Sequence, residues 1–141
     1  MKTRFLIALV VLTSCSKSTG DRMSYQELRD IAGADAIDCG HVPLKGVARA
    51  ANECALSAFK RSHSFLVRYE VPGIDSQVVY GLASRGDGHV FDIKFDSEGW
   101  DTHGLGPEAT VKNNNHLLVK PCPQPAVLSI DDRLGILSCA K

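Results

Sequence analysis

Three stretches, 65–71, 77–84 and 89–96, constrain this chain more than any other feature. Each reads as a β-strand bounded by turn residues. The segments between them carry turn chemistry. Val71-Pro72-Gly73-Ile74 puts proline and glycine at the second and third places of a type II turn. Such a turn splays a two-residue hairpin, so a longer loop over 72–75 is expected. Asp87-Gly88 suits a tight type I′ turn. These turns set Tyr80 opposite Phe95, Leu82 opposite Ile93, Val67 opposite Tyr80 and Tyr69 opposite Val78. Phe65, Val67, Tyr69, Val78, Tyr80, Leu82, Phe91, Ile93 and Phe95 then share one face. Arg68, Glu70, Gly81, Ala83, Asp92, Lys94 and Asp96 fall on the other, which is expected to meet water.

A helix precedes this meander. Val47, Ala51, Cys54, Ala55, Ala58 and Phe59 recur at three and four, the spacing of one buried helical face. Arg49, Asn52, Glu53, Ser57 and Lys60 take the other face. The alanines let the helix lie close to a sheet. Further upstream, Ser24-Tyr25-Gln26-Glu27 fits a capping box and starts a short helix over 25–32, with Gly33 as its stop. Ala36-Ile37-Asp38-Cys39-Gly40 reads as a short extended piece ended before Pro43. Downstream, 97–110 has no period and much glycine, long for an idle connection. A fourth strand is expected over 116–120 and a fifth over 134–138, with Asp131-Asp132-Arg133 in the loop between. The fold class is α+β: N-terminal helices packed on a mainly antiparallel sheet.

The charge is balanced, with 16 basic and 16 acidic residues. A nucleic-acid binder would show a basic stripe, and none is present. Apolar residues at 44% and charged residues at 23% match globular averages, so a packed core is affordable. At 141 residues the chain has room for one domain.

The leader carries its own signal. Lys2 and Arg4 precede an apolar run, 5–12, too short to cross a bilayer core of about 30 Å as a helix. Leu12-Thr13-Ser14-Cys15 follows. This run resembles the lipobox of bacterial lipoproteins. The resemblance implies a signal peptide over 1–14 and a Cys15 that is diacylated on sulfur, freed by cleavage and acylated again on its amine. Ser16, where an aspartate would retain such a protein at the inner membrane, implies the outer membrane facing the periplasm. Several acyl chains anchor firmly where one is marginal. Residues 15–23 then form the lipidated cysteine and a small polar tether, and 24–141 the single folded domain. Loss of the leader leaves 14 basic against 16 acidic residues.

Cys39, Cys54, Cys122 and Cys139 remain, an even number in a small exported domain, which reads as disulfides. Four cysteines allow three pairings. Cys39–Cys54 and Cys122–Cys139 are expected because each pair brackets one local unit. Each closes a loop of about fifteen residues, a gain of roughly 3 kcal/mol in the chain-entropy account. Zinc is disfavoured, since no Cys-x-x-Cys or paired histidine spacing occurs.

No nucleophile elbow, P-loop, dinucleotide fingerprint or metalloprotease helix is present. The five histidines are scattered. Asp96-Ser97-Glu98-Gly99-Trp100-Asp101 lacks the alternating ligands and terminal glutamate of a calcium loop. Neither metal nor cofactor is therefore expected. Trp100, with Asp101 and His103, is the candidate partner contact, since tryptophan on a loop often anchors an interface. Cys39-Gly40, the cysteine in the following helix (Cys54) and Gly73-Ile74-Asp75-Ser76 give the domain a resemblance to small exported domains of Gram-negative bacteria. That resemblance implies no activity. The expected function is a non-catalytic, membrane-anchored periplasmic lipoprotein with a binding or scaffolding role and a protein partner in the envelope. The alternative is a periplasmic inhibitor or immunity protein against a wall-degrading or toxic enzyme.

Overall fold

The computed structural model describes residues 19–140, apart from Thr102 and Gly104. The expected signal peptide and Leu12-Thr13-Ser14-Cys15 lie outside the described residues. The elements in order are α1 (Thr19–Ala32), β1 (Ile37–Val42), α2 (Arg49–Lys60), β2 (Ser64–Pro72), β3 (Gln77–Arg85), β4 (Val90–Asp96), β5 (Thr110–Lys112), β6 (Leu117–Pro121), β7 (Leu128–Ile130) and β8 (Leu137–Cys139). Six strands form one sheet in the order β1-β2-β3-β4-β6-β5, and β7 and β8 form a separate hairpin. β1 runs parallel to β2, and every other pairing in the sheet is antiparallel. The α+β expectation holds, and so do both disulfides: Cys39–Cys54 and Cys122–Cys139, with Cα atoms 5.5 and 5.7 Å apart.

The sheet is covered on both faces. α2 is the crossover between parallel β1 and β2, and its Ala51, Ala55 and Ala58 pack on Phe65, Val67, Tyr69, Val71, Val78 and Leu82. α1 covers the opposite face, where Leu28, Ala32 and Ala36 join Leu66, Val79, Ala83, Ile93, Phe95 and Leu117. The expected single aromatic face is therefore wrong, and so is the expected solvent face. Leu82 lies opposite Asp92, and Gly81 opposite Ile93, one residue away from the expected register. The connection is not a two-residue turn: Gly86 and Gly88 both take positive φ, of 81° and 87°, and pairing resumes only at Ser84–Val90. A slip of one moves a whole strand's side chains through the sheet. It sends Phe91, Ile93 and Phe95 to the α1 side and brings Asp92 and Lys94 to the α2 side. In the first hairpin Tyr69 faces Tyr80 and Val71 faces Val78. That is a slip of two, which leaves the faces unchanged.

Arg68 and Gly81, expected in water, lie under α1. The Arg68 guanidinium stacks 4.5 Å from the Tyr25 ring centre. Gly81 lets the helix lie close: a Cβ there would stand 2.7 Å from Leu28 Cδ1.

α1 starts at Thr19, five residues before the expected cap. Ser24 is an interior, buried helix residue, and residues 19–23, expected in the tether, are helical. A local capping box lost to tertiary burial of the 24-28-32 stripe. Gly33 ends the helix as expected, with φ +94° and its N–H on Arg29 O. In α2, Asn52 is buried rather than exposed, while Val47 precedes the helix and stands 85% exposed. The expected strand over 116–120 is β6. Its short partner β5 and the strand β7 were not legible, and the strand expected over 134–138 begins only at Leu137.

Candidate functional site

The β7–β8 hairpin is fastened over the α2 side of the sheet by two devices. Cys122–Cys139 ties β8 to the residue following β6. Asn52 on α2 donates its amide to Gly135 O at 2.9 Å. Between the hairpin and the sheet lies a cleft of about 210 Å³, with Tyr80, Asp92 and Lys94 as its floor and Leu134, Ile136 and Leu137 on its wall. The register places the three polar residues there: Tyr80 faces Lys94 across β3 and β4, and Asp92 sits one alternation along.

Lys94 Nζ stands 3.7 Å from Asp92 Oδ2 and 5.1 Å from the centre of the Tyr80 ring. Burial pushes the Asp92 carboxyl above the usual range, against the pull of the Lys94 ammonium. Burial also raises the Tyr80 hydroxyl, and the carboxylates of Asp92, Asp131 and Asp96 raise it further. Asp131 is committed to its own turn, accepting the N–H groups of Arg133 and Leu134 at 3.0 and 2.8 Å. The cleft thus offers an ion pair and a phenol beside an apolar wall. That is binding chemistry: hydrogen bonds to fix orientation and apolar contact to exclude water.

The expected contact residues lie beyond this cleft but share Lys94 with it. Trp100 is half-buried, with its indole N–H on Lys94 O at 3.2 Å and its backbone N–H on Asn115 O at 2.7 Å. The ring is tied to the sheet. Asp101 and His103 are exposed beside it, and Asp101 Oδ1 accepts the His103 N–H at 2.9 Å. The three are held together by a local turn rather than converging on a cavity. Sequence reasoning missed Tyr80, Asp92 and Lys94. The available signal was Phe91-Asp92-Ile93-Lys94-Phe95, where opposite charges sit in the middle of a strand that is central to the sheet. Cys15 lies outside the described residues. Among the described residues no three His, Cys, Asp or Glu side chains come together as a metal site.

No protein-family model, curated protein or solved structure matches this chain.

Proposed function

We propose that this chain is a non-catalytic bacterial lipoprotein, acylated at Cys15 and held at the outer membrane facing the periplasm, whose folded domain binds or scaffolds a partner protein. The observation that carries this reading is Leu12-Thr13-Ser14-Cys15 set behind a charged start and a short apolar run. Two disulfides accord with an oxidising compartment. The first helix begins at Thr19, so only residues 16–18 separate it from the acylated cysteine. The cleft beneath the hairpin and the adjoining Trp100 turn supply a contact surface with an aromatic anchor and fixed charges.

The test is made on protein extracted from the membranes of the native host. Mass spectrometry of the N-terminal peptide, without reductant, is expected to find three acyl chains on Cys15 and no residues before it. Cross-linking in intact envelopes is expected to recover one defined protein, and Lys94→Glu to reduce its yield. An unacylated chain in the cytosol with free thiols would overturn the anchor. A folded, acylated protein that never cross-links would overturn the partner.

A further inference from the structure

Among the described residues eight large apolar side chains stand in water, and five of them lie near one another. Leu44, Val47, Ile74, Ile130 and Leu134 are all exposed, Ile74 at 93% and Val47 at 85%. Leu44 borders one surface hollow with the β2–β3 turn that carries Ile74. It borders a second with Ala48 and Leu134, and Ala48 borders a third with Val47 and Ile130. Adjoining hollows thus link Leu44, Leu134, Val47 and Ile130, and Ile74 stands on the turn beside the first of them. They lie at the end of the sheet where β1 and β2 finish and the β2–β3 turn begins.

The first helix points to the same end. A four-residue connection leads from α1 to the start of β1, and Arg29 near the helix's C-terminus reaches Ala36 O at 3.2 Å. α1 therefore runs against β1. Glu27, further back in the helix, bonds Lys112 at 2.6 Å. Lys112 lies beside Leu117, Leu117 beside Phe95 and Phe95 beside Val79, towards the far end of the strands. The chain before Thr19 thus departs from the end that carries the apolar surface. Four Cα steps separate Cys15 from Thr19, a reach of roughly 14 Å at most.

We infer that this end of the domain rests on the bilayer, with Leu44, Val47, Ile74, Ile130 and Leu134 entering the interface between headgroups and acyl chains. The inference builds on acylation at Cys15 and adds an orientation to it. The exposed charges around the surface balance: Lys45, Arg49 and Arg133 against Glu53, Asp75 and Asp132. Adhesion therefore comes from apolar insertion and not from attraction to anionic lipid.

The experiment uses the native acylated protein in phosphatidylethanolamine vesicles, with and without phosphatidylglycerol. Trp100→Phe removes the natural fluorophore, and a reporter is added as Ile74→Trp or, in a separate protein, Val47→Trp. Ile37→Trp is the control, since Ile37 is 41% exposed and begins β1 at the opposite end. Bromine-labelled acyl chains are expected to quench the reporters at 74 and 47 several-fold more than the one at 37. Phosphatidylglycerol and added salt are expected to change this little. Equal quenching at 74 and 37, or quenching that appears only with phosphatidylglycerol, overturns the proposal. The mass of the same samples keeps the two readings apart. Acylated protein without quenching at 74 removes the resting face and leaves the anchor. Quenching at 74 in unacylated protein keeps the face and removes the anchor.

Discussion

The Tyr69 hydroxyl donates to Asn52 Oδ1 at 2.7 Å, joining the centre of β2 to the inner side of α2. The ring is wholly buried, and Asn52 passes its own amide on to Gly135 O. Three elements remote in sequence meet at this pair, and the hairpin that roofs the cleft hangs from it.

Removing one partner leaves the other buried and one hydrogen bond short, which costs about 1–3 kcal/mol. Asn52→Ala is expected to destabilise by about that amount, and Tyr69→Phe by a value towards the lower end of the same range. The double variant is expected to fall short of their sum, since both substitutions break one bond. Urea unfolding of the four proteins checks this.

The same pair gives an alkaline signature. Burial pushes the Tyr69 hydroxyl well above its ordinary value of 10.0, although a hydrogen bond from the Leu137 backbone acts the other way. A group with a raised folded pKa contributes stability that is complete below its unfolded value and is lost as pH rises above it. Stability is therefore expected to fall from about pH 10 upward. Tyr69→Phe should flatten that fall in part, with Tyr80 supplying the remainder in the same direction. Urea midpoints at pH 8, about 10 and about 11 measure it.

Asp92 has the same linkage sign at the acid end. Its carboxyl is raised by burial despite Lys94, so its ionised form disfavours the fold. Asp92→Asn is expected to raise stability at neutral pH, with the gain shrinking as pH falls through the ordinary aspartate range. Thermal melts at pH 7 and at about pH 3.5 decide it. A loss at neutral pH would mean that the pair with Lys94 outweighs the burial of its carboxylate.

Gly81→Ala places a methyl against Leu28 in the helix above. Overpacking of this kind costs about 1–3 kcal/mol. Leu28→Ala alone leaves a cavity at a cost of about 2–5 kcal/mol. The two together should be less damaging than their sum, because the smaller side chain admits the added methyl.

Replacing Cys122 and Cys139 with serine is expected to cost about 3 kcal/mol. It should abolish slow amide exchange in β7 and β8 while leaving β2 and β3 protected. Removal of Cys39–Cys54 should instead loosen β1 against α2. Hydrogen exchange with fragment resolution separates the two patterns.

Much of this architecture was legible because its signals are local. Apolar runs between turn residues marked β2, β3 and β4, the alanine spacing marked α2, Gly33 marked the end of α1, and even cysteines bracketing local units gave both disulfides. Leu12-Thr13-Ser14-Cys15, on which the proposed anchor rests, is likewise a local run. β5 and β7 escaped because strands of three residues are too short to carry a period.

What the chain alone determined, then, is where α2 and the three long strands form and which cysteines meet, since those follow from propensity, spacing and short loops. Tertiary structure decided which way the strands face. A single extra residue in the Gly86–Gly88 connection turned β4 over, and only long-range packing of α1 onto Gly81 and Ile93 rewards that choice. The cleft is its consequence: Asp92 and Lys94 reach Tyr80 because a register set by burial on one side of the sheet carries charge to the other.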